Sequence, residues 1–148
     1  MLVHPPLPVR FSAAALRHER LLFVRKQYHF WPAESGFDAW DVDRLIRLSR
    51  GLPVQSVPVA SISEVDTGYW FEGSAVRPTV RSVVEHAKLM LEADLSYPII
   101  LGHDGRVMDG MHRIARALLE GVAEISAVRF ESLPEPDYRN VQPDELPY

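Results

Sequence analysis

The chain has 148 residues, 47% hydrophobic and 24% charged, with no cysteine and a formal net charge of −4. That composition suits one globular domain with a real core, and it excludes a disordered chain, a disulfide framework, a thiolate metal site and a cysteine nucleophile. The tail 131–148 carries five acids and one base, so residues 1–130 hold fifteen charges of each sign and lack the basic excess of a typical nucleic-acid binder.

No apolar run approaches a membrane span, and the start MLVHPPLPVR is too rich in proline for a signal peptide. The expectation is a cytoplasmic protein with no membrane partner. Residues 1–11 hold Pro5, Pro6 and Pro8 and read as an extended arm. Ser12 can cap a helix through Ala13, Ala14, Ala15 and Leu16. The runs LLFV (21–24) and YHFW (28–31) fit two strands or a continuing helix, because short apolar runs do not settle the period.

Residues 39–51, AWDVDRLIRLSRG, predict a helix capped by Asp38 or Asp41, with Trp40, Leu45, Ile46 and Leu48 apolar and with Gly51 and Pro53 ending it. Strand character follows at 54–60, then a loop at 64–77 containing Tyr69, Trp70 and Phe71. Three adjacent aromatics favour packing against the amino-terminal arm, with a lid over a bound base as the alternative. Val80, Val83, Val84, Ala87 and Leu91 recur at helical spacing and predict an amphipathic helix over 78–93. YPIIL (97–101) reads as a buried strand, His103-Asp104-Gly105 as a tight hairpin turn, and Arg106 to Met108 as the returning strand. A helix follows with Met111, Ile114, Ala115 and Leu118 inward and Gly121 at its end. EISAVRF (124–130) reads as a strand, and the proline-rich tail as a surface or mobile segment.

The segment VMDGMHRIARALLEG carries the most chemistry. Asp109 can cap the helix through the Met111 or His112 amide, and Gly110 permits a sharp strand-to-helix turn. Cations are disfavoured at the positive end of a helix, yet His112 and Arg113 sit there together. An anion held by the first-turn amides, the imidazole and the planar guanidinium resolves that conflict. Arg113 has protein alternatives in Asp109, Asp104 and Glu85. The six histidines lie apart, with no H-x-x-x-H pair on a helix, so no structural zinc is expected.

The elements and motif over 54–130, PIIL followed by HDGRVMDGMHRIARALLEG and ISAVRF, resemble the ParB/sulfiredoxin superfamily. Its members share a strand, a hairpin, a glycine-x-x-arginine helix start and a final strand. The order strand, loop, helix, hairpin, helix, strand over 54–130 itself predicts one α+β domain, and the resemblance implies a small mixed sheet with packed helices. It divides the chain into an N-terminal helical extension (1–53) packed on the core, the ParB/sulfiredoxin-like domain (54–130) and an acidic, proline-rich tail (131–148). The WDVDRL and YWF segments look like those of a bacterial ParB-like nuclease-domain branch.

By that resemblance Gly110, Met111, His112 and Arg113 line the phosphates of a nucleoside di- or triphosphate with Mg²⁺, and Thr79, Ser82 and His86 contribute from the preceding helix. Met111 stands where sulfiredoxins carry their cysteine, and a thioether cannot supply a thiolate nucleophile. Thr79 stands where they carry a lysine. No counterpart of the DNA-binding module of chromosome-partitioning relatives is expected, and no dense carboxylate cluster suggests a two-metal nuclease. A serine-phosphorylating branch uses a glutamate after the first strand as general base, and Glu64 occupies that place. The expected function is nucleotide or phosphate binding, with phosphoryl transfer or nucleotide hydrolysis if the protein is an enzyme. The alternative is a non-catalytic interaction or regulatory module. DNA binding is disfavoured by the neutral core.

Overall fold

The structure is a computed structural model that describes residues 26–71 and 77–148. The expected arm at 1–11, the helix after Ser12 and the LLFV run lie outside those residues. In chain order the described elements are strands β1 (Tyr28–Pro32) and β2 (Phe37–Asp41), helix α1 (Val42–Ser49), strand β3 (Gln55–Pro58), helix α2 (Val80–Glu92), strands β4 (Ile99–Leu101) and β5 (Val107–Asp109), helix α3 (Met111–Glu120), and strands β6 (Glu124–Arg129) and β7 (Tyr138–Val141). Two short 3₁₀ turns, Val59–Ser61 and Ser63–Asp66, follow β3. The fold is α+β. Among the described residues, no helix is long and apolar enough to cross a membrane.

One sheet has the order β3-β6-β4-β5, with β4 and β6 parallel and the other neighbours antiparallel. Side chains alternate across it. Ile99, Leu101, Val107, Ile125 and Ala127 point to one face, where Met111, Ile114 and Ala117 of α3 cover them together with Val59 and Ile62. Ile100, Met108, Val128 and Phe130 point to the other face and meet Trp40 of β2 and Leu45 of α1. Both faces are therefore covered, which is why PIIL reads as an unbroken apolar run rather than an alternating one. Ile99, Val107 and Ile114 are fully buried, each worth about 2 kcal/mol over an exposed side chain.

The second sheet, β1-β2-β7, corrects two expectations. Residues 39–41, assigned to a helix, belong to β2, and α1 starts only at Val42, capped by Asp41 through the Asp43 and Arg44 amides. The pattern of 39–51 hid a strand because Trp40 is consistent with either period, and burial against the first sheet selects the strand. The tail lies on the surface as expected, with most of its residues exposed, but it is held in the sheet. Its residues 138–141 pair with β2, and the Trp40 indole donates to the Pro134 carbonyl at 2.8 Å.

Helix α2 inverts its apparent polarity. None of its residues is buried, and Val80 is 85% exposed, Val84 60% and Leu91 58%. The stripe turned towards α3 contains Ser82, His86 and Met90, which are half-buried. The valine stripe that predicted the helix is thus the one facing outward.

Candidate functional site

Gly110, not Asp109, caps α3. It takes a left-handed conformation, φ 107° and ψ 20°, and no side chain caps the helix. A Cβ there would lie 2.7 Å from Ile99 Cγ2 and 2.9 Å from Arg113 Nη2, so glycine is required by both conformation and space. The first bond into the helix runs from the Ile114 N–H to the Gly110 carbonyl at 3.1 Å. The Met111, His112 and Arg113 amides precede it and carry the partial positive charge of the helix start.

Asp109 is used differently. Its carboxylate accepts from Arg113 Nη2 at 2.6 Å, with both side chains about one-fifth exposed. The guanidinium proposed for an anion is already paired one turn back on its own helix. Met111 turns inward and is 7% exposed, part of the core beneath the first sheet. Thr79 and Ser82 form a reciprocal capping box at the start of α2, where Ser82 Oγ accepts from the Thr79 N–H at 2.9 Å. Neither lines the cavity beside the α3 start.

His86 and His112 are brought together. Their Nδ1 and Nε2 atoms, respectively, are 2.8 Å apart, across α2 and α3. The ring centroids are 5.1 Å apart and the planes differ by 19°. The centroid separation is about the N···N distance plus one ring radius at each end, so the bond runs along the line joining two nearly coplanar rings. Trp70 stacks over both, at 4.4 Å from His86 and 4.7 Å from His112, and Phe71 meets His86 edge-on. The aromatic loop therefore seats Trp70 and Phe71 on the histidine pair, while the amino-terminal arm expected to receive it lies outside the described residues. Burial holds His112 far below the ordinary imidazole value, at about 4, with the neighbouring His86 acting in the same direction. Burial also lowers His86, opposed by Glu85.

The α3 start opens on a cavity of about 360 Å³. Asp109, Gly110, Met111 and His112 form one side, and Lys26, His29 and Tyr148 are among the residues of the other. Lys26 is tied to Asp41 at 3.1 Å. The tail closes this wall, because the Tyr28 hydroxyl donates to the Pro147 carbonyl at 2.9 Å and Tyr28 packs edge-on against Tyr148. A second cavity of similar volume shares Tyr28, His29, Phe30 and Tyr69 with the first and contains Glu64, Thr67 and Arg106. Glu64 accepts the Val107 N–H with both carboxylate oxygens at 3.1 Å. It thereby ties the 3₁₀ turn to the hairpin and lies in the neighbouring cavity, not beside the α3 start.

His29, between the two cavities, was not singled out from the sequence. It packs against Trp31 and Trp40, and its Nε2 is the one buried side-chain nitrogen or oxygen without a hydrogen-bond partner among the described residues. Burial, then the Arg106 charge, lowers its pKa to about 4. The available signal was a lone imidazole inside the aromatic run YHFW. Compared with protein-family models, curated proteins and solved structures, the chain matches none.

Proposed function

We propose that the chain binds a nucleotide or other small phosphorylated ligand in the cavity at the start of α3, as the resemblance to ParB/sulfiredoxin proteins implies. The observation that carries this reading is the cavity itself. It joins unpaired first-turn amides and His112 to aromatic walls, the combination an anionic group attached to a flat ring requires. Its volume falls within the range of small-molecule sites. Mg²⁺ would arrive on the phosphates, and the reaction class that fits is phosphoryl transfer or nucleotide hydrolysis. Calorimetric titration of the full chain with ATP, ADP and CTP, each with Mg²⁺, tests it. Saturable heat is expected, weakened in a folded His112→Ala variant. Absence of heat at millimolar ligand, with a folded protein, overturns it.

A second reading, a non-catalytic interaction module, draws support from the exposed Val80, Val84 and Leu91 stripe of α2. It predicts that Arg113→Ala and His112→Ala variants retain function while Val84→Glu loses it.

A further inference from the structure

We propose that His86 and His112 form a proton relay that makes His112 the acid–base group of the α3 cavity. The proposal rests on the ligand reading above for what the proton serves, and on the histidine geometry for the relay itself.

The nitrogens of the pair point at one another along a line, with 2.8 Å between them. Two ligands of one metal ion direct their lone pairs to a common point off that line, so this arrangement is a hydrogen bond and not a chelate. An N–H on one ring donates to the lone pair of the other, which leaves one further nitrogen on each ring. His112 Nδ1 and His86 Nε2 are not among the buried nitrogens lacking partners, and no described group bonds them. One belongs to the residue lining the cavity, the other to a residue outside it. Trp70 lies over both rings and holds them coplanar, and Phe71 braces His86. Of the charged groups nearby, Glu85 flanks His86 on α2, Asp109 and Arg113 neutralise each other on α3, and Lys26 across the cavity is paired with Asp41.

Burial opposes a charged imidazole at either position, so an isolated base here would be weak. A relay avoids the charge. In the resting pair His112 donates its Nε2 proton to His86 Nδ1, and His86 carries its own proton on Nε2. A water attacks the phosphorus of a bound phosphoester. The new O–P bond forms, the P–O bond to the leaving group breaks, and its electron pair stays on the leaving oxygen. His112 Nδ1 takes the proton of the attacking water, the Nε2 proton passes to His86 Nδ1, and His86 releases its Nε2 proton to solvent. The leaving oxygen takes a proton from water. Both rings end neutral with their tautomers exchanged, and the reverse transfer restores the resting pair: His86 Nε2 takes a proton from solvent, the His86 Nδ1 proton returns to His112 Nε2, and His112 Nδ1 releases its proton to water. His112 is the catalytic residue and His86 the positioning residue that receives its proton.

The test has two arms on the full chain. Long-range ¹⁵N–¹H spectra of the imidazoles should show a coupling across the His86 Nδ1–His112 Nε2 bond at pH 7. On acidification the two rings should take up a single shared proton well below pH 6. Separate titrations near the ordinary value, without coupling, overturn the relay. The second arm measures phosphate release from ATP with Mg²⁺ and from p-nitrophenyl phosphate. His112→Gln should lower kcat by about 100-fold or more, within the span of general acid–base catalysis. His86→Phe and His86→Asn should each lower kcat by about tenfold or more at unchanged KM and flatten the acidic limb of the pH profile. The asparagine can accept the His112 bond but cannot pass a proton on, so its restoring wild-type kcat overturns the relay and leaves only orientation. Binding of ATP without phosphate release from either compound also overturns it. Failure to bind either compound sinks the ligand reading instead, and the spectra then decide the relay alone.

Discussion

Arg113 Nη2 donates to Asp109 Oδ2 at 2.6 Å across one turn at the start of α3, and this ion pair sets the charge that a ligand meets there. Asp109 lines the cavity and Arg113 does not, so an incoming anion meets the carboxylate, with its charge offset by Arg113 behind it. Asp109→Asn should therefore raise the affinity for inorganic phosphate or ATP several-fold, and the gain should shrink at high salt. Arg113→Ala should lower it. The half-buried pair should also contribute about 1 to 2 kcal/mol to stability, between the surface and buried extremes. Calorimetry and urea unfolding measure the two effects. Equal phosphate affinity in all three proteins would place the anion elsewhere.

Gly110 should tolerate no side chain. Its φ of 107° strains any L-residue, and a Cβ meets Ile99 at 2.7 Å. Gly110→Ala should destabilise the fold by about 2 kcal/mol or more. Gly105, at φ 85°, is also left-handed but has open space around its Cβ position. Gly105→Ala should cost only about 1 kcal/mol. Thermal or urea unfolding of the two variants distinguishes crowding from conformation.

Stability should fall between about pH 6.5 and pH 4. His29 and His112 both have folded values near 4, below the ordinary 6.5. In that window the unfolded chain binds more protons than the folded one, so each group favours unfolding as pH falls, by up to about 1.4 kcal/mol per pH unit. Below pH 4 neither group adds further loss. Urea midpoints at pH 7, 5.5 and 4.5 should show the trend, and His29→Phe should weaken it. That variant also removes a buried nitrogen that has no partner among the described residues, so its stability at pH 5 should match or exceed wild type. An unchanged midpoint from pH 7 to 4.5 would contradict the burial of both rings.

Replacing the outward valines should cost little. Val80→Ser and Val84→Ser remove side chains that are 85% and 60% exposed. Each should change stability by less than about 0.5 kcal/mol. Val107→Ser, at a fully buried position of β5, should cost about 3 kcal/mol or more. Losses of similar size at Val84 and Val107 would mean that α2 is covered in solution.

The order of elements over 54–130 was legible because each signal is local. The valine spacing of α2, the Asp104-Gly105 turn, the PIIL run and Gly121 each constrain a few neighbouring residues. The grouping of Gly110, Met111 and His112 at a helix start was legible for the same reason. Short range also misled: Trp40 looks helical beside Leu45, Ile46 and Leu48, and becomes a strand residue through its pairing with His29 of β1 and its burial against the first sheet.

The sequence by itself determined the α+β class, the hairpin, the helix start and the want of a thiolate, all set by backbone preferences and residue chemistry within about one turn. Only the tertiary structure decided that Arg113 meets Asp109, that His86 meets His112 beneath Trp70, that the tail completes a sheet, and that α2 shows solvent its apolar side. Those outcomes depend on packing between segments far apart in the chain. Side-chain pattern states which surface prefers burial, but the competition for a finite core decides which surface obtains it.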